Sequence, residues 1–174
     1  GLHMANYKKI FEIADKVERK LKKYSLLDDE YENPEVCHTI YFHVDQTEKT
    51  LFQRVDHRDV LSATSFFDLE TADQCIKDAI FGNDNIYDVA EWLESDEMED
   101  FPIVFEYIKP VGYGYIKENR QSLMMYHDDL DAAVIVLKKK MDAEGSYTDF
   151  YVLTAYPVFT FDDGSSQLPM HFNK

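Results

Sequence analysis

His43, Arg54, Thr154 and Tyr156 are the residues of this chain whose types could work together on a phosphate. A histidine with an ordinary pKa of about 6.5 can take or give a proton at neutral pH. A guanidinium holds an anion through paired N–H groups. A hydroxyl and a phenol add hydrogen bonds where charge develops on oxygen. Together they suit phosphoryl transfer without a metal. His43 and Arg54 are eleven residues apart. That is close to three helical turns, so on a continuous helix the two side chains share a face. In Thr154-Ala155-Tyr156-Pro157, a strand would send Thr154 and Tyr156 to the same side.

Other chemistries find no footing. The chain has no GxGxxG motif and no P-loop, and Gly112-Tyr113-Gly114 reads as a bend or bulge in a strand. His38 and His43 are five apart. In an extended segment they face opposite sides, which disfavours a shared metal. No metal and no cofactor is expected. Cys37 and Cys75 have no nearby cysteine partner and read as reduced thiols.

The elements that must position these groups can be read from periodicity. Tyr7, Ile10, Phe11, Ala14, Val17, Leu21 and Tyr24 recur at steps of three and four, predicting an amphipathic N-terminal helix. The polar, Pro-ended stretch 28–34 reads as a linker. Residues 36–44 read as a short strand or extended segment. Asp45-Gln46-Thr47-Glu48 has capping-box spacing, predicting a helix from an Asp45 cap through about residue 55. Ser65 or Asp68 opens another helix, broken at Gly82-Asn83-Asp84, and a further helix covers 85–94. Segments 102–109, 113–117, 132–138 and 150–158 are rich in Val, Ile, Tyr and Phe and are bounded by turn residues, predicting strands. Helices first and strands last give an α+β class with a mainly antiparallel sheet. Asp162-Asp163-Gly164-Ser165-Ser166 reads as a turn before a short tail. Gly1-Leu2-His3 ahead of Met4 reads as a cloning remnant, with Met4 as the expected start.

The 174 residues suffice for one domain, or one domain with an appendage. The 18 basic and 34 acidic residues leave a net charge of −16. That balance argues against broad nucleic-acid binding, DNA included, and against anionic membranes. No apolar run is long enough for a transmembrane helix and no secretion signal is visible. A cytoplasmic setting is expected. The charge is also uneven. Residues 1–24 carry +4 and the remainder −20, with seven acids and no base between 88 and 100. The basic helix could meet RNA, a membrane or an acidic partner, but packing against its own acidic domain is the simpler expectation.

Several runs together resemble one family. Cys37-His38-Thr39-Ile40-Tyr41-Phe42-His43-Val44, Leu51 with Arg54, and Ala63-Thr64-Ser65-Phe66-Phe67-Asp68 with Ala72 are similar to the bacterial RNase A-like toxin domain of contact-dependent growth inhibition proteins. Ile86 with Trp92-Leu93, Val111-Gly112-Tyr113-Gly114, Val134-Ile135-Val136-Leu137 and Thr154-Ala155-Tyr156-Pro157 follow in the same order. The resemblance implies an RNase A-like fold without disulfides. It implies cleavage of RNA, possibly tRNA, through 2′-hydroxyl attack to a 2′,3′-cyclic phosphate. His43 would be the base, Arg54 the phosphate holder, and Thr154 and Tyr156 hydrogen-bonding partners, with His38 in support. A cognate inhibitor or immunity protein is the implied partner, and delivery into a target cytoplasm the implied setting. The alternative is a weak or inactive binding protein on the same fold, regulatory or antitoxin-like. The expected organisation is a helix and linker over 1–34, the RNase A-like domain over 35–160 and a tail over 161–174.

Overall fold

The computed structural model describes residues 2–159. The turn and tail expected over 161–174 lie outside them. Six helices and six strands follow in the order α1 (Leu2–Lys22), α2 (Leu26–Glu32), α3 (Thr39–His43), α4 (Glu48–His57), β1 (Ser62–Phe66), α5 (Leu69–Phe81), α6 (Asn85–Glu94), β2 (Phe101–Glu106), β3 (Gly112–Ile116), β4 (Met125–Leu130), β5 (Ala132–Lys140) and β6 (Asp149–Val158). Two antiparallel three-stranded sheets result, ordered β1-β3-β4 and β2-β5-β6. The class is α+β, as expected, with both cysteines free and buried.

The main core lies between the helices and one face of the second sheet. Ile13, Ala14, Val17, Leu21 and Tyr24 of the N-terminal region meet Ile76 and Ile80 of α5, Val89 of α6 and Ile135, Leu137 and Val152 of β5 and β6. The basic helix α1 thus packs on its own domain. Its lysines pair with the domain's acids: Lys9 with Glu94, Lys16 with Asp142 and Lys20 with Asp149, at 3.9, 3.4 and 2.7 Å.

Three readings of the sequence need correction. Residues 28–34 are largely the helix α2, capped by Ser25, whose side chain accepts the Asp28 N–H. Asp29 of that helix is buried, and its carboxylate accepts the Val152 N–H at 2.8 Å and the Tyr24 hydroxyl at 3.2 Å. Its acid is part of the core's polar wiring, which composition alone disguises. Residues 36–44 are not a strand. Thr39–His43 form one turn of helix, nucleated by the Glu30 carboxylate, which accepts the Ile40 N–H at 2.6 Å. Only Val44 bridges to β1, in parallel with Phe66. Asp45 does not cap α4: it sits at φ 51°, and Thr47 is the cap, accepting the Thr50 N–H at 3.1 Å. Two strands, β1 and β4, were not expected from the sequence; their runs, SATSF and MYHDDL, lack the apolar character of the others.

One irregularity decides which face β6 presents. Val136 is opposite Thr154, while Leu137 is opposite Val152, leaving Leu153 as an extra residue. A bulge shifts alternation by one position. Val152 and Ala155 therefore both face the helical core, while Tyr156 lies in a second cluster with Val134 and Val136 on the opposite face.

The two sheets approach each other where edge strand β1 meets edge strand β6. The Thr64 hydroxyl donates to the Pro157 carbonyl at 2.5 Å. Gly112 permits this approach, because a Cβ there would sit 2.4 Å from both the Ser65 carbonyl oxygen and Pro157 Cγ. Gly112→Ala is expected to destabilise the protein by about 1–3 kcal/mol through overpacking. A melting temperature equal to wild type would show that the strands part without cost.

Candidate active site

His43 ends α3, and its ring is fixed from one side. Its Nδ1 lies 2.9 Å from the Thr64 carbonyl oxygen, which can only accept. Nδ1 of the neutral ring therefore carries the proton, and Nε2 is left as the basic nitrogen. The ring keeps an exposed edge on a cleft, yet packed atoms enclose most of it. Its pKa is lowered to about 4, chiefly by burial; the Thr64 bond opposes the shift and the charge of Arg54 adds to it. This departs from the ordinary value expected from sequence, and it keeps the ring neutral at pH 7.

Arg54 lies on α4, and no continuous helix joins it to His43, so the three-turn spacing does not set their relation. The chain breaks between α3 and α4 at Val44–Thr47, through the left-handed Asp45. The two side chains meet because α4 folds back. One guanidinium N–H donates to the Phe42 carbonyl, the other Nη donates to Gln46 Oε1 at 2.9 Å, and the guanidinium sits 5.0 Å over the Phe42 ring. Burial, then the like charge of Arg58, lowers the Arg54 pKa. An arginine stays cationic regardless.

Thr154 and Tyr156 come from β6, on the face selected by the bulge. The Tyr156 ring lies 5.4 Å from the His43 ring. Its hydroxyl is buried with no hydrogen-bond partner among the described residues, and burial pushes its pKa well up. The phenol is therefore neutral, a donor awaiting an acceptor. His38 occupies the position before α3 without a side-chain capping bond; it is exposed and lies edge-on to Phe42 at 6.1 Å. It reaches the site only through that ring and does not line the cleft.

His43, Arg54, Thr154 and Tyr156 all line one cavity of about 190 Å³ between α4, β1 and β6. Phe42, Val60, Leu61 and Ala63 supply an apolar wall, and Arg58 stands at the rim. No acidic residue among the described ones lines this cavity, and the acids of 88–100 lie elsewhere on α6 and the loop beyond it. A larger groove of about 820 Å³, beside α5 and β2, holds none of the four residues and is lined by Asp68, Glu70, Asp78 and Glu106. Size therefore does not mark the chemistry here.

Sequence reasoning missed two contributors. Gln46 is the hub of the turn between α3 and α4. Its backbone N–H donates to Ser65 Oγ at 3.1 Å, its side-chain amide donates to the Val44 carbonyl at 2.9 Å, and its carbonyl accepts the Tyr113 hydroxyl. Nothing in the local sequence separates it from an ordinary surface glutamine. Arg58 was also missed: it is the extended residue that ends α4, four after Arg54, and its place on the cavity rim does not follow from helical spacing.

Known proteins align with this geometry. The sequence model of the bacterial CdiA-CT RNAse A domain matches residues 37–157, which span every residue of the cleft. Among solved structures, the CdiA-CT/CdiI complex from Y. kristensenii is similar in fold, with a TM-score of 0.53, 24% identity, and coverage of 66% of this chain and 93% of that one. No curated protein matches significantly. The family match runs through both the α3–α4 and the β6 walls of the cleft, and on that basis the chain belongs to the bacterial CdiA-CT RNAse A domain family.

Proposed function

We propose that this domain is a metal-independent endoribonuclease toxin that cleaves RNA, tRNA among its candidate substrates, by attack of the 2′-hydroxyl. The observation carrying this reading is the convergence of a base, a cation, a hydroxyl and an unpartnered phenol on one acid-free cleft. His43 Nε2 takes the 2′-hydroxyl proton as the 2′-oxygen bonds to phosphorus. Arg54 faces the extra charge on the phosphorane oxygens, held by Phe42 and Gln46 so that little reorganisation is needed. Thr154 hydrogen-bonds a non-bridging oxygen or places the base. Tyr156 donates a hydrogen bond from its hydroxyl to a phosphate oxygen or to the departing 5′-oxygen. The P–O5′ bond breaks, the 5′-oxygen leaves as a hydroxyl after taking a proton from the His43 imidazolium or from water, and a 2′,3′-cyclic phosphate remains. His38 acts at one remove, by its contact with Phe42.

By analogy with the CdiA-CT/CdiI pair, the partner is a cognate immunity protein, and the site of action is the cytoplasm of a target cell. No helix among the described residues is long and apolar enough to cross a membrane. The non-catalytic reading, a regulatory binder on the same fold, would leave the orphaned Tyr156 hydroxyl and the neutral His43 without a task.

The test uses total tRNA in EDTA. Wild type is expected to cleave it to cyclic phosphate ends, while His43→Ala is silent; equal inactivity of both at high enzyme concentration would establish the binder instead. Arg54→Lys is expected to keep the charge but lose the fork, lowering kcat by about 10²-fold, the cost of removing one transition-state donor. Because Arg54 also ties α4 to α3, its melting temperature should fall slightly, and full activity at unchanged stability would remove Arg54 from catalysis. The pH profile carries a sign. His43 must be neutral to accept a proton, so kcat/KM should drop only as pH falls through about 4 and stay level from there to neutrality. An acid limb near the ordinary histidine value, about 6.5, would mean a different base.

A further inference from the structure

We propose that Arg58 forms a second phosphate subsite, which engages the phosphodiester next to the scissile one and makes this cleft selective for a nucleic-acid strand over a bare dinucleotide. The inference deepens the ribonuclease reading and rests on it. Arg58 follows Arg54 by four residues at the end of α4 and lines the same cavity. Four residues of helix rise by about 6 Å, the same order as the step between neighbouring phosphates of a strand.

The state of its side chain supports a ligand. The Arg58 side chain is exposed and makes no hydrogen bond or ion pair with a described residue, while its backbone N–H closes the last turn of α4 on the Arg54 carbonyl at 3.1 Å. Its chain neighbour Asp59 is taken instead by Arg120, at 3.0 Å. The like charge of Arg58 is felt at Arg54, where it adds to burial in lowering the pKa, so an anion between the two cations would relieve it. Arg54 is held by Phe42 and Gln46 and serves the reacting phosphate, so one anion does not need both. The arginine fork suits a phosphodiester, and the acid-free wall between the two cations lets a strand pass.

The test separates this subsite from catalysis by using 2′-deoxy dinucleotides, which lack the nucleophile and bind without being cut. Dissociation constants are measured for a dinucleotide bare, with a 5′-phosphate and with a 3′-phosphate. One of the two terminal phosphates is expected to tighten binding to wild type about tenfold at low salt, the scale of one charge-assisted hydrogen bond. Arg58→Gln should abolish that gain, and Arg58→Lys should restore part of it. With a longer deoxy strand, the slope of log Kd against log salt should fall by about 0.7 in Arg58→Gln, one phosphate contact. An equal phosphate gain in wild type and Arg58→Gln, or no gain from either phosphate, would overturn the subsite. The matching ribonucleotides test the parent reading separately. Binding that depends on Arg58 without cleavage of those substrates would uphold the subsite and remove the nuclease.

Discussion

Thr64 is the joint on which the cleft depends. Its carbonyl takes His43 Nδ1, and its hydroxyl reaches the Pro157 carbonyl of β6. One residue of an edge strand thereby fixes His43 on α3 and the hydroxyl-bearing strand relative to each other. The two sheets share no ladder, so this side-chain bond does what a backbone pairing would do elsewhere. Glycines keep it possible. A Cβ on Gly114 would sit 2.6 Å from the Thr64 Cα, and one on Gly112 would strike Pro157. The Gly112-Tyr113-Gly114 run is therefore a requirement of close strand approach. Between its glycines, Tyr113 sends its hydroxyl to the Gln46 carbonyl, which ties β3 to the turn that holds Arg54.

The bulge at Leu153 is the second constraint. Simple alternation from Val152 would send Thr154 and Tyr156 into the helical core. The extra residue turns them to the cleft and leaves Val152 and Ala155 to fill the core. The Val152 N–H meets the buried carboxylate of Asp29 on α2. Helix α2 also provides Glu30, which nucleates α3 and so places His43. A stretch that composition presents as a linker thus organises two walls of the site with adjacent acids.

These features set the boundary of what was legible in the chain. Helices α5 and α6 show their apolar periodicity openly, and β5 and β6 their branched and aromatic runs, because burial in the main core demands those residues. Helix α3 was hidden: Ile40, Tyr41, Phe42 and Val44 suit a strand, and only the distant Glu30 carboxylate decides for a helix. Asp45 offered capping-box spacing, but its left-handed backbone serves the turn instead. The four site residues were readable by type and by order along the chain. Their convergence was not, because it depends on how the Val44–Thr47 turn folds α4 back against α3. Arg58 and Gln46 were not readable at all, since what matters is which partner each has or lacks.

The net charge of −16 takes on a different meaning once the acids are placed. Repulsion between an acidic surface and RNA is a long-range effect, screened within about 8 Å at physiological ionic strength. Inside that distance the cleft presents Arg54, Arg58 and a neutral His43, with no carboxylate among the described residues of its wall. Helix α1 spends much of its positive charge on Glu94, Asp142 and Asp149 rather than on a partner. The charge therefore denies the protein a broad nucleic-acid surface and leaves recognition to a few contacts. The low His43 pKa follows the same logic. Burial is its main cause, and the charge of Arg54 adds a smaller part against the Thr64 hydrogen bond. In the ribonuclease proposed here, a phosphodiester anion seated against Arg54 would offset that smaller part and make His43 a somewhat stronger base, so the same cation would bear on both the phosphate and the proton.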